Sequence, residues 1–370
     1  MRRPWAAASA PLRRAAAAGA GALLAGTAVV ALALALRAAR ADGATAGRLT
    51  PAQRAAVLAF GPWPPPPPHD GANPASGRPA GIALGEALFY SPRLSPTGLR
   101  CASCHEPWRH FADGRAVAQG VARGSRNTPT LLGAARHRHF GWDGARDRLW
   151  QQSLRPLEDA REMPATGAQL GALLRRDAPL GARYAAVFGA APGDDDAAVT
   201  RSVGLALAAY VETLASPRTP FDAWRDRLAA TAGGAEPAAS GEFPESARRG
   251  LHLFVGRAGC VACHRGPTLG DDAFHPSLVH SLTAAGTADA GRPGAPPNTF
   301  RTPSLRAAAS TGPWMHDGSV ARLCDAVQAH AADPGVEPPA LTAAERRDVA
   351  AFLRTLAVDA TPDDASRCAD

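Results

Sequence analysis

The run Cys101-Ala-Ser-Cys104-His105 returns later in the chain as Cys260-Val-Ala-Cys263-His264. No other feature restricts the fold as tightly. C-x-x-C-H is the attachment pattern of a c-type haem. Each cysteine sulfur adds to one vinyl group of the macrocycle, and the histidine that follows falls under the iron. A haem held in this way supplies much of the apolar core of a small domain. A chain with two copies is therefore expected to build two haem-centred bodies. Paired cysteines also occur in redox dithiols and zinc sites. A histidine directly after the second cysteine, in both copies, favours haem.

The chain has 370 residues, ample for two compact domains. Its formal charge of +7 invites a nucleic-acid reading. That reading fails, because every basic residue is arginine and Arg2, Arg3, Arg13, Arg14, Arg37 and Arg40 crowd the N-terminus. Setting those aside leaves a nearly neutral chain, with no electrostatic case for nucleic acid or anionic lipid. The N-terminal arginines precede an apolar run from Ala15 to Leu36, and Ala39-Arg40-Ala41 offers small residues for cleavage. Residues 1–41 therefore read as a secretion signal. The run is also long enough to remain as an uncleaved membrane anchor. Either way the rest is expected outside the cytoplasm, in the periplasm, where haem is attached after export.

Further along, Pro62 to Pro68 forms a stiff, irregular lead-in. The spacing predicts a short helix from Leu84 ending near Pro92, and a longer one over Val199 to Leu214. Residues 106–160 are rich in Gly, Pro and Arg and read as ordered loop with short helices around the first haem. Gly233 to Gly241 is linker-like. Arg248 to Phe254 should lead as a helix into the second motif. Thr342-Ala-Ala-Glu345 is a capping box opening a last helix through Leu356. Ser319 can cap a helix on which Val320, Leu323, Cys324, Val327 and His330 share a face. The expected fold class is mainly α: two cytochrome c-like helical domains, residues 42–235 and 236–370, each enclosing one covalent haem.

Beyond the haem motifs, the chain carries Arg126-Asn-Thr-Pro129, Gly141-Trp-Asp-Gly144 and Pro313-Trp-Met-His-Asp-Gly318. In this order and spacing they resemble the di-haem cytochrome c peroxidase and MauG superfamily. The stretch from Gly141 to Met163 resembles in particular its MbnH-like branch. In the peroxidases of this superfamily, a loop histidine after the first motif caps that iron until reduction frees it. The corresponding segment here, Phe111 to Ala135, has no histidine or methionine. The resemblance therefore implies that the haem held by His105 is open to peroxide. His137 and His139, just beyond that segment, are the competing distal ligands.

The resemblance also assigns roles. Glu162 is the acid–base group for peroxide, and Gln152 and Pro156 line the same pocket. Trp142 lies between the haems as an electron relay. The second haem, held by His264, takes its sixth ligand from the position of His330, with Met315 as the competing ligand. His316 lies near a haem propionate. One Ca²⁺ is implied, bound by Asn127 and the carbonyls of Thr311 and Pro313. Cys324 and Cys368 can pair as a disulfide, or Cys324 can simply pack.

The implied activity is that of a MauG/MbnH-like oxidoreductase. It reacts with H₂O₂ at the open haem, stores two oxidising equivalents of bis-Fe(IV) type, and oxidises a tryptophan of an MbnP-like partner protein. Two alternatives stand beside it. One is a di-haem cytochrome c peroxidase that draws electrons from a small redox protein. The other is a non-enzymatic di-haem electron carrier, with both irons capped by protein ligands.

Overall fold

A computed structural model of the chain describes residues 48–231, 235–277, 288–330 and 341–359. From residue 49 onward the chain is one compact unit. The expected signal segment and Cys368 lie outside the described residues, as does the stretch between His330 and Leu341. Among the described residues the structure is mainly helical, with two cytochrome c-like halves. The only sheet among the described residues is a three-residue antiparallel pair, β1 (Phe274–Pro276) with β2 (Thr299–Arg301), in which His275 faces Phe300.

The first half is organised on α6 (Asp196–Val211), which Asp195 caps through the amides of Ala197 and Ala198. Nearly all of its C-terminal half is buried. Against it pack α2 (Pro79–Phe89), α3 (Leu149–Glu158) and α4 (Gly167–Arg176), with α5 (Ala178–Phe188) beside α2. α2 and α6 approach closely because Gly85 has no side chain; a Cβ there would run into the carbonyl of Ala206. The resulting core holds Leu84, Leu88, Phe89, Leu154, Leu170, Val203 and Tyr210.

The second core is built on α8 (Glu245–Val255), α9 (Leu323–His330) and α10 (Ala343–Arg354). It also draws on α1 (Pro51–Leu58) and α7 (Pro220–Ala230), through Val57, Phe60, Phe221, Trp224 and Leu228. One buried ion pair ties these pieces together. Arg306 Nη1 donates to both carboxylate oxygens of Asp222 at 2.8 Å, Nη2 donates to the carbonyl of Phe60, and Nε donates to that of Pro267. Both side chains are almost fully excluded from solvent, at 1% and 0% exposure. A buried charge pair is tolerable only when its remaining hydrogen bonds are met, as they are here.

Several boundaries differ from the sequence reading. α2 begins at Pro79, where a proline at the first helical position costs nothing, and ends at Phe89 rather than near Pro92. α3 falls within the stretch read as ordered loop with short helices, which left its bounds open. Its apolar positions Trp150, Leu154 and Leu157 do recur at helical spacing, but prolines and arginines obscure them in the sequence. α9 begins only at Leu323. Ser319 does not cap it: its amide donates to Asp317, and Val320 pairs instead with Trp314. The capping box at Thr342 is present as expected, with Glu345 reaching back to the Thr342 amide.

Candidate active site

Every site residue expected from the sequence lines one continuous cavity of about 520 Å³ between the two motifs. Each C-x-x-C-H run folds as a single 3₁₀ turn, Cys101–Ser103 and Cys260–Ala262. The turn brings both cysteines and the histidine to the same wall. None of the four cysteines is paired in a disulfide. Burial pushes the thiols of Cys101 and Cys260 up to about 12.

Three histidines are set in the same way. Nδ1 lies 2.9 Å from a backbone carbonyl: Phe111 for His105, Leu269 for His264, and Ala326 for His330. Such a bond fixes the tautomer and leaves Nε2 as the ligating atom. Burial lowers His105. Burial, and then the neighbouring His330, lower His264 to about 4, so its ring is neutral and able to bind metal. The ring centroids of His264 and His330 are 6.1 Å apart. Two metal–imidazole bonds of about 2 Å, plus about 1 Å from each nitrogen to its ring centre, span ~6 Å. His330 is the last residue of α9, where the helix end leaves it more exposed than the inward-facing position read from the sequence.

On the first half, α3 presents Gln152 and Pro156 one turn apart to the cavity. Pro156 has no N–H, so the helix gives up its bond to the Gln152 carbonyl. Glu162 follows on a loop that is clamped from behind. The amide of Val121 donates to the Glu162 carbonyl and that of Ala122 to the Arg161 carbonyl. Gly120 packs so closely that a Cβ would collide with the Glu162 backbone. Burial raises the Glu162 carboxyl, while the Arg155 guanidinium, 3.4 Å away, draws it partly back.

Trp142 is held by both halves. Its indole Nε1 donates to the Asn127 carbonyl at 2.9 Å, and its own carbonyl accepts from the Arg301 amide of β2 at 2.9 Å. Asn127 is buried, with its side-chain nitrogen donating to the carbonyls of Arg115 and Ala116 and its backbone amide to that of His316. His316 is buried and stacks on Phe300 at 3.9 Å. Met315 also lines the cavity, in a left-handed turn. His137 does too, with Nδ1 set against Arg301 (3.1 Å) and Asp272 (3.3 Å). His139 packs on Phe274. Cys324 is disulfide-bonded; its expected partner Cys368 lies outside the described residues.

Some residues around the cavity are given no role by the sequence reading. Arg301 lines the cavity with Nε buried and unpartnered. In the sequence it is one arginine among forty. Arg126 binds both oxygens of Asp289 and reaches Asp143, closing the floor near Trp142. Arg155 reaches Glu162 from α3.

These residues fit two c-type haems. Each motif offers two sulfurs and an oriented imidazole, and His330 stands at ligating distance across from His264. The orphaned Arg301 Nε suits a propionate carboxylate.

Comparison with known proteins agrees. A family model for the di-haem cytochrome c peroxidase matches residues 79–229, and one for cytochrome c matches residues 247–357. The methylamine utilization protein MauG of Methylorubrum extorquens is 38% identical over 307 residues, covering 78% of this chain and 81% of that one. The cytochrome c551 peroxidase of Nitrosomonas europaea is 31% identical, covering 66% and 71%. A solved MauG-like protein associated with microbial copper homeostasis superposes with a TM-score of 0.65 at 28% identity, covering 80% of this chain and 95% of that one.

Proposed function

Because the chain belongs to the di-haem cytochrome c peroxidase and MauG family, and is an oxidoreductase of that type carrying two c-type haems, we propose that it reacts with H₂O₂ at the His105 haem and passes two stored oxidising equivalents to a partner protein. When bound, the two haems supply the iron that gives up electrons to peroxide.

The observation that carries this reading is an asymmetry between the two histidines. His264 faces a second imidazole at 6.1 Å, the one histidine–histidine ring contact among the described residues. The segment from Phe111 to Ala135 around His105 contains no histidine or methionine. His264 and His330 would thus hold the storage haem between them, while that segment offers the His105 haem no second histidine or methionine.

Glu162 takes the proton that peroxide must lose on binding and returns it to the departing outer oxygen. Its raised carboxyl suits both duties, since a group that ionises nearer neutral pH gives and accepts protons with less penalty. Gln152 orients the peroxide with its side-chain amide. Trp142, clipped to both halves, relays the electron from the His264 side. Asn127 and the carbonyls of Thr311 and Pro313 form the proposed Ca²⁺ site beside it, using oxygen donors suited to that ion.

By the MbnH-like resemblance, the reductant is a tryptophan on an MbnP-like partner, reached outside the cytoplasm. No helix among the described residues is long and apolar enough to cross a membrane; export rests on residues 1–41.

The test is EPR of the ferric holoprotein before and after one equivalent of H₂O₂, then mass analysis of the co-produced partner. The expected result is one high-spin and one low-spin haem, loss of both ferric signals, and a lasting mass change on the partner. Two low-spin haems inert to peroxide would overturn the assignment. Peroxide turnover with a small electron donor and an unchanged partner would instead mark an ordinary di-haem peroxidase.

A further inference from the structure

Two of the chain's three tyrosines, Tyr90 and Tyr210, are bonded to each other, with their phenol oxygens 3.1 Å apart. They meet because Gly85 brings α2 and α6 into backbone contact. Phe89 lies between them and the cavity. It lines the cavity wall, and its ring centre is 5.1 Å from both phenol rings and 6.2 Å from Phe111. The carbonyl of Phe111 holds Nδ1 of His105. A chain of contacts therefore runs from His105, through one hydrogen bond to the Phe111 backbone and then the rings of Phe111 and Phe89, to a hydrogen-bonded phenol pair. Tyr210 is buried and Tyr90 only partly so, so the pair reaches toward solvent at one end.

We propose that the Tyr90–Tyr210 pair is a redox site on the His105 side of the first haem, drawing off an oxidising equivalent when no partner protein is bound. This rests on the peroxide reactivity proposed above. Tyr90 would give up one electron to the oxidised haem held by His105. The Tyr90 hydroxyl proton leaves to water at its partly exposed end, giving a neutral phenoxyl. Tyr210 donates its hydroxyl to that oxygen and holds the radical in place. A one-electron reductant of the medium, with a proton from water, restores the phenol.

Burial, reinforced by the bond to Tyr90, raises the Tyr210 phenol, so that Tyr210 stays protonated and serves as the donor. A competing sink is disfavoured. Trp63 has guanidiniums over its ring, Arg306 at 4.0 Å and Arg136 at 5.3 Å. That attraction depends on ring electron density, and removing an electron from the ring turns it into repulsion.

The experiment is freeze-quench EPR of the holoprotein after one equivalent of H₂O₂, without partner, using ring-deuterated tyrosine to identify the radical. Wild type, Tyr90→Phe, Tyr210→Phe and Trp63→Phe are compared. Wild type should show loss of both ferric signals followed by a tyrosyl radical. In Tyr90→Phe the radical should vanish and the oxidised haems persist several-fold longer, while peroxide consumption is unchanged. Tyr210→Phe should keep a radical whose g-anisotropy reports a lost hydrogen bond, and Trp63→Phe should match wild type. A tyrosyl signal that survives in Tyr90→Phe, or no tyrosyl signal while the ferric signals are consumed, would overturn the proposal and leave the peroxide reaction standing. Ferric signals untouched by peroxide in wild type would remove both.

Discussion

The imidazoles of His264 and His330 stand 6.1 Å apart, each with Nδ1 tied to a carbonyl of its own half. That spacing accommodates one metal ion between two Nε2 atoms. It is the geometry behind the proposal that His264 and His330 would together hold the second haem.

His330→Ala should therefore abolish the low-spin ferric signal of the second haem and leave that of the first haem unchanged. EPR of the isolated ferric protein reads both at once. His330→Met should restore a low-spin second haem, because a thioether can replace the imidazole as axial ligand. An unaltered low-spin signal in His330→Ala would point to Met315 as the ligand.

With the roles proposed above, the Glu162–Arg155 contact should set the pH profile of the peroxide reaction. A carboxylate must be ionised to take the peroxide proton, so the rate should fall as pH drops through the Glu162 value. Burial places that limb above the ordinary glutamate value. The Arg155 guanidinium opposes this, so Arg155→Leu should move the limb to still higher pH. Glu162→Gln should remove the limb and slow the reaction by about 10²–10⁴-fold. Stopped-flow absorbance of the haems across pH measures both, and a limb unmoved in Arg155→Leu would separate the two side chains functionally.

Trp142 donates its indole Nε1 to the Asn127 carbonyl of the first half and accepts at its own carbonyl from the Arg301 amide of the second. Trp142→Phe keeps the packing but removes an indole that can lose and regain an electron. The two ferric EPR signals, lost together in wild type, should then be lost in separate phases, the high-spin one first. Simultaneous loss in the variant would show that electrons cross by another route.

The Arg306–Asp222 pair should carry stability rather than chemistry. Asp222→Ala leaves a buried guanidinium without its counter-charge and should destabilise the second half by about 3–5 kcal/mol. The shift in urea midpoint, followed at the absorbance of the second haem, reports it. Adding Arg306→Met should recover part of the loss, since it is the unpaired charge, not the absent pair, that is costly.

Much of the site was legible in the sequence because its chemistry is covalent and local. The spacing of two cysteines and a histidine is dictated by the geometry of the haem itself, so Cys101 to His105 and Cys260 to His264 declare their cofactor within five residues each. The capping box at Thr342 is equally local: one hydroxyl and one carboxylate within a single turn. The family motifs carried Glu162, Gln152, Trp142 and His330 on the same principle, by position along a short run. α3 is expected only as one of the short helices of residues 106–160, without bounds, because Pro156 and the neighbouring arginines interrupt an apolar pattern that the core nevertheless uses, and α9 starts later than expected because Ser319 turns toward Asp317.

What tertiary structure alone decided is how distant segments meet. That all these residues face one cavity, that Arg301 buries an unpaired nitrogen there, that Arg306 reaches Asp222 and Phe60, and that Tyr90 touches Tyr210 all depend on chain segments far apart in sequence. A motif encodes bonds within its own few residues. Contacts between such segments are selected by the packing of whole faces, in which each residue contributes only its volume and polarity, and no short pattern records the outcome.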